Sequence, residues 1–207
     1  MPSKRWSRPI WSIACRTRLL STRWTGLAPP RSRRPSMALL KNDRLVEDTW
    51  TAVDSVDAIG SAAGENVLVP LELWQAHREQ LQAAAKVGIV LPNDVDPDDL
   101  AAELESLSLI VLDFPAMGDG RGFSQARILR DQLGFGGEIR ARGPLIADQY
   151  FYLLRCGVDA VEVPGDIDTE TWLAAARRYT AVYQPAADAR VPAYRLRGVA
   201  PRRAAAS

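Results

Sequence analysis

The chain of 207 residues is poor in the side chains that bind metals and build disulfides, with one histidine, His77, and two cysteines, Cys15 and Cys156. The cysteines stand far apart, which supports neither a disulfide framework nor a thiolate metal site. His77 sits among charged neighbours in "LELWQAHREQLQAAA" and reads as a surface or boundary residue, not a ligand or general base. No protein-ligated metal or iron–sulfur cluster is therefore expected, and the cofactor, if there is one, is unknown. No apolar run approaches the roughly 20 residues of a transmembrane helix. These absences predict a cytoplasmic protein with no membrane partner.

Acidic residues are missing from one region only. Residues 1–36 hold nine Lys or Arg and no Asp or Glu, so the rest of the chain carries 17 basic against 25 acidic residues. A body of net negative charge argues against nucleic acid as a partner, because neutralising phosphates requires a basic face. The leader has no secretory apolar segment and ends in Pro, Arg and Ser. It is expected to be disordered and outside the native product, with Met37 as a natural start of the folded protein. Residues 37–183 are expected to form a single α/β domain. Residues 184–207, which lose periodicity and gain Pro, Arg and Ala, are expected to be a weakly ordered tail with "VPAYRLRG" as an extended edge strand.

What the sequence does have is one repeated pattern. The short β-branched runs "NVLVP", "VGIVLP", "LIVLDFP", "EIRARGP" and "VDAVEVP" each end at a proline, at Pro70, Pro92, Pro115, Pro144 and Pro164. Proline suits a strand-to-helix junction, where its missing N–H costs nothing. The segments "LELWQAHREQLQAAA", "PDDLAAELESL", "SQARILRDQLG", "IADQYFYLLRCG" and "TETWLAAARRYT" follow, with apolar residues at helical spacing. Alternating strands and helices predict a parallel sheet, either an open three-layer arrangement or a half-barrel. Upstream, "RLVEDTWTAV" alternates like an N-terminal antiparallel edge strand or hairpin, and "SVDAIGSAAGEN" reads as a loop.

Ligands of such folds bind beyond the carboxyl ends of the parallel strands. There the stretch "MGDGRGFSQAR" places glycines at 118, 120 and 122 and an arginine at 121. Glycines let backbone amides approach a bound group, a helix start favours negative charge, and Arg121 offers a planar fork for an oxyanion. The pattern is neither a dinucleotide motif nor a P-loop. Ser124 reads as the N-cap with Phe123 stapled onto Ile128, and Gly134 as the C-cap. The candidate anion-binding set is Gly120, Arg121, Gly122, Ser124, Arg140 and Arg142. Asp119, Arg121 and Asp148 are the candidates for moving a proton, and Asp113, Gln149 and Glu162 are expected to converge nearby. Cys156 reads as a small packed residue at a helix end.

The stretch "DFPAMGDGRGFSQARILRDQLGFGGEIRARGPLIADQYFYLLRCGVDAVEV" resembles a bacterial family, domain of unknown function 934. Members carry Phe-Pro, Asp-Gly-Arg-Gly/Ala-Phe/Tyr-Ser, Ala-Arg, Leu-Arg, Gly-Phe-x-Gly-Glu-Ile/Leu-Arg-Ala, Asp-Gln and Arg-Cys/Ser-Gly-Phe-Asp-Ala. The chain matches at Phe114, Pro115, Asp119 to Ser124, Ala126, Arg127, Leu129, Arg130, Gly134 to Arg140, Asp148, Gln149 and Arg155 to Ala160 apart from Val158, and departs at Met117 and at that Val158. The resemblance implies an association with sulfite reductase in assimilatory sulfate reduction, and with it sulfur metabolism and cysteine biosynthesis. Its members are labelled oxidoreductases, but it carries over no catalytic residue. Three functions fit: an anion-binding accessory factor working with sulfite reductase or its electron donor, an independent small α/β enzyme acting on a phosphorylated or carboxylated metabolite with Asp119 or Asp148 as base, and a non-catalytic docking subunit.

Overall fold

The computed structural model describes residues 37–196. The expectations for residues 1–36 and for the end of the tail lie outside the described residues. All five proline-ended runs are strands: β4 (Asn66–Pro70), β5 (Lys86–Leu91), β6 (Leu109–Asp113), β7 (Glu138–Arg142) and β8 (Ala160–Pro164). They follow β1 (Met37–Lys41), β2 (Arg44–Val46) and β3 (Thr51–Ala52) and join one eight-stranded sheet in the order β2-β1-β8-β7-β6-β5-β4-β3. From β3 to β8 every neighbouring pair is parallel. Right-handed crossovers that always step the same way place their helices on one face. The sheet curls into a half-barrel, one of the two arrangements that the alternation of strands and helices leaves open.

An antiparallel edge completes it. The β1–β2 hairpin turns at Asn42 and Asp43, both at positive φ (51° and 60°), in the turn that matches strand twist. β1 runs antiparallel to β8 from Met37↔Pro164 to Lys41↔Ala160. β2 and β3 therefore lie at opposite edges although only residues 47–50 join them. Seven flat inter-strand spacings would separate the edges by about 34 Å. The five Cα steps from Val46 to Thr51 reach at most about 18 Å. The sheet must curl for this connection to close, and the connecting strap runs across the concave face.

Strand alternation sorts the two faces. Val67, Val69, Ile89, Leu91, Ile110, Leu112, Ile139, Ala141, Val161 and Val163 are buried in the helix-side core. They meet Trp74 and Leu81 of α2 (Leu71–Ala76) and α3 (Arg78–Leu81), Ala126 of α4 (Arg121–Arg127), Tyr150 and Leu153 of α5 (Ala147–Arg155), and Trp172 and Ala176 of α6 (Thr169–Arg177). Each large aliphatic residue buried here contributes about 1.5–3 kcal/mol. On the concave face Leu68, Leu109 and Val111 form a second cluster with Val90 and Trp50 of the strap. Gly88 makes room for that indole, since a Cβ there would lie 3.1 Å from the Trp50 ring.

Local structure departs from the sequence pattern in several places. "SVDAIGSAAGEN" contains a helix, α1 (Val56–Ser61), that buries Ile59. The helical pattern at 97–106 is realised as two 3-10 turns, Pro97–Leu100 and Leu104–Ser106, the first opened by Asp96 accepting from the Asp98 N–H at 3.1 Å. "RLVEDTWTAV" is not one strand but β2, the strap and β3. In "VPAYRLRG" the expected extended strand is a helical turn, α7 (Ala193–Leu196), entered through a bridge between Val182 and Pro192.

Candidate functional site

The β7 sequence "EIRAR" directs Glu138, Arg140 and Arg142 to the concave face, because residues two apart on a strand share a side. Arg140 is 1% exposed and forms the floor of the hollow. Its Nη1 donates to Asp48 Oδ2 of the strap at 2.8 Å, and Nη2 and Nε donate to Glu138 Oε1 at 3.2 and 3.3 Å. Glu162 Oε1 of β8 lies 3.7 Å from Nη1, and Lys41 of β1 donates to the other Glu138 oxygen at 2.5 Å. Burial pushes the Glu162 carboxyl above its ordinary value, although the guanidinium groups of Arg140 and Arg142 oppose the shift. Arg140 is thus committed to three carboxylates of its own chain, and this explains how a full charge is tolerated inside.

Arg142, one pleat further along, closes β7 at its carboxyl end and is paired in register with Asp113, the last residue of β6. Its Nε donates to Asp113 Oδ1 at 3.3 Å. Among the described residues its two terminal nitrogens make no hydrogen bond. The side chain is 39% exposed. Arg142 therefore keeps at the strand ends the donor capacity that Arg140 has spent on the floor.

The glycine-rich turn follows β6 on the same end of the sheet. Asp119 Oδ1 accepts from the Arg121 backbone N–H at 3.2 Å and from its Nε at 3.1 Å, and Oδ2 accepts from Arg121 Nη2 at 2.8 Å and from Asn93, after β5, at 2.6 Å. The hydrogen bonds from Arg121 hold the Asp119 carboxyl well below its usual range, at about 2. Arg121 Nη1 makes no hydrogen bond among the described residues. α4 begins at Arg121 with Gly120 as its N-cap, so Ser124 is not the cap but an exposed residue inside the helix. The reason is local: Asp119 accepts the Arg121 N–H, one of the free donors of the first turn, so the chain is already helical when it reaches Ser124. Gly122 serves packing, since a Cβ there would come within 2.4 Å of the Phe114 ring, whereas Gly118 and Gly120 lie open.

Other predicted residues fall elsewhere or take structural duties. Asp148 is exposed and pairs with Arg178 Nη2 at 3.0 Å, with no contact to Asp119 or Arg121. Gln149 accepts from the Ile146 N–H and donates to the Met117 carbonyl at 3.3 Å, fastening α5 to the glycine-rich loop. Gly134 at φ 65° ends the helix as its pattern predicts, and the Phe135 N–H returns to the Leu129 carbonyl at 2.8 Å. Arg127 pairs with Asp131. Arg130 donates to the carbonyls of Phe135, Gly137 and Gly157 and pairs with Asp159, tying the loop before β7 to the loop before β8. Cys156 caps α5, half-buried, with its thiol pushed up by burial. Among the described residues no group of three or more His, Cys, Asp or Glu is placed to hold a metal, and no helix is long and apolar enough to cross a membrane.

Sequence reasoning missed Asp48, Lys41, Asn93 and Gln125. Gln125 is 4% exposed and donates to the carbonyls of Pro92 and Val95, both at 2.8 Å, which anchors the loop after β5 to α4. Glu138 was open to detection, for it shares the strand parity of Arg140 and Arg142.

The profile of a family described as "Bacterial protein of unknown function (DUF934)" matches residues 88–194, from β5 to α7. The chain belongs to this family. The DUF934 match takes in β5 to β8, the glycine-rich turn, Arg140 and Arg142 and leaves out the β1–β2 hairpin and the strap. No curated protein matches the chain.

Proposed function

We propose that this DUF934 protein is an accessory protein of assimilatory sulfate reduction that serves sulfite reductase by holding a small oxyanion at the carboxyl rim of its half-barrel. The observation that carries this reading is the pair of rim arginines, Arg121 and Arg142. Each is aligned by one carboxylate, Asp119 or Asp113, and each keeps terminal guanidinium nitrogens without a hydrogen bond among the described residues. A guanidinium oriented in advance and still able to donate suits a planar or tetrahedral oxyanion. The location agrees with where ligands bind in parallel α/β sheets.

Binding takes precedence over catalysis in this proposal. Asp119, held at about 2, is a poor proton acceptor at neutral pH, and Asp148 lies apart from it in an exposed pair. Sulfite and sulfate are the probes. Sulfite is expected to raise the melting temperature of the wild-type chain by mass action, and Arg142→Ala is expected to abolish that rise. A strain without the chain is expected to grow poorly on sulfite as sulfur source and to be restored by the wild type but not by Arg142→Ala. No thermal response to either anion, together with normal growth on sulfite, contradicts the proposal.

A further inference from the structure

We propose that the face formed by α5 and the segment after α6 docks an acidic segment of another protein, whose apolar side chain enters an aromatic groove. The chain has five tyrosines. Tyr150 is buried, and the other four, Tyr152, Tyr179, Tyr183 and Tyr194, are 55%, 47%, 82% and 50% exposed, all on this carboxyl-terminal part. Phe151, Tyr152, Arg155, Tyr179, Val182 and Tyr183 line a groove of about 410 Å³. Phe151 is its floor, with the Tyr179 ring 5.0 Å and the Tyr152 ring 5.5 Å away.

The groove is built, not a loose end. Arg190 lies over the Phe151 ring at 5.1 Å and donates to the carbonyls of Tyr179 and Ala176 at 2.9 and 3.0 Å. Arg155 donates to Asp188 at 2.6 Å and to the Gln184 carbonyl. The Ala193 N–H closes onto the Val182 carbonyl at 2.7 Å. The segment that carries Tyr179 and Tyr183 is thus tied to α5 and α6 before a partner arrives, which lowers the entropic cost of docking.

Composition and charge say what fits. Protein interfaces are enriched in tyrosine and arginine and depleted in lysine and glutamate. Residues 177–196 contain three tyrosines and four arginines, no lysine or glutamate, and Asp188 as their one acidic residue. Residues 37–176 carry 24 acidic against 10 basic side chains, so the arginine-bearing face stands out against an acidic body. Arg177 and Arg178 pair with single exposed carboxylates, Asp43 and Asp148, and Arg155 and Arg190 share Asp188, so that with Arg195 five arginines of this face meet three carboxylates and leave it positive. An acidic segment with an apolar anchor complements both the margin and the groove. This inference stands apart from the anion reading, since it uses none of the rim residues.

The test is fluorescence anisotropy on the full chain with labelled peptides of about nine residues, a length that spans a short extended docking segment. One has a Phe-Leu centre flanked by glutamates, one the same centre flanked by lysines, and one only glutamate and glycine. The glutamate-flanked Phe-Leu peptide is expected to bind most tightly and to weaken with salt. Tyr183→Ala, which removes no charge and alters an exposed ring, is expected to weaken it about fivefold or more with an unchanged melting temperature. Tyr179→Ala is expected to act in the same direction. Equal binding of the lysine-flanked or glycine-containing peptide, wild-type binding by both tyrosine variants, or tighter binding of single-stranded oligothymidylate overturns the proposal. A concentration-dependent mass in sedimentation that Tyr183→Ala removes gives the groove to a second copy and also overturns it.

Discussion

Arg140 and Arg142 stand two residues apart on one strand and face the same hollow, yet one is the floor and the other the rim. The floor arginine is 1% exposed and is shared among Asp48, Glu138 and Glu162. The rim arginine is 39% exposed and touches Asp113 through Nε alone. The same side chain serves folding in the first place and stays open for a ligand in the second. Neighbouring carboxylates and exposure, not residue type, decide the difference.

The strongest way to break the comparison is Arg140→Ala. Removing the charge leaves three carboxylates beside a buried hole, and urea unfolding is expected to show a loss of about 3–5 kcal/mol. A loss below about 1 kcal/mol, the range of exposed pairs, would place Arg140 with the rim residues. Next comes Gly122→Ala, in the same glycine-rich turn as the rim residues but packed on Phe114. Overpacking there is expected to cost about 1–3 kcal/mol without changing the affinity of the remaining folded protein for sulfite. Arg142→Ala is expected to change stability by about 0.5 kcal/mol or less, as exposed pairs do, while losing the sulfite response.

The smallest effect concerns pH. The Asp119 carboxyl is lowered from 3.8 to about 2 in the folded chain. Its contribution to stability is therefore complete above the ordinary carboxylate value and is lost as pH falls through that interval. Asp119→Asn is expected to flatten the acid limb of thermal stability across this window, and an unchanged limb would show that the Arg121 pair contributes nothing.

The scaffold was legible because its signal is local. Proline-ended apolar runs mark β4 to β8, and their succession implies a one-directional parallel sheet. The glycine-rich turn was placed correctly at a strand end, but the helix cap was misread by four residues, Ser124 for Gly120, because an aspartate–arginine contact two residues apart starts the helix earlier. The floor was half legible: parity pairs Arg140 with Arg142, while Asp48 reaches Arg140 across 92 positions through a strap with no periodic pattern. Asp148 looked like a candidate base from its place in a first turn, but only the folded chain reveals its contact with Arg178.

The most direct measurement is isothermal titration of sulfite into the wild type, Arg142→Ala and Arg121→Ala, with the melting temperature of each free protein recorded alongside. Saturable binding by the wild type, lost in both variants while their melting shifts by no more than about 2–3 °C, is the expected result. Undiminished binding in both variants, or no binding by the wild type, would contradict the assignment of the rim arginines to an oxyanion site.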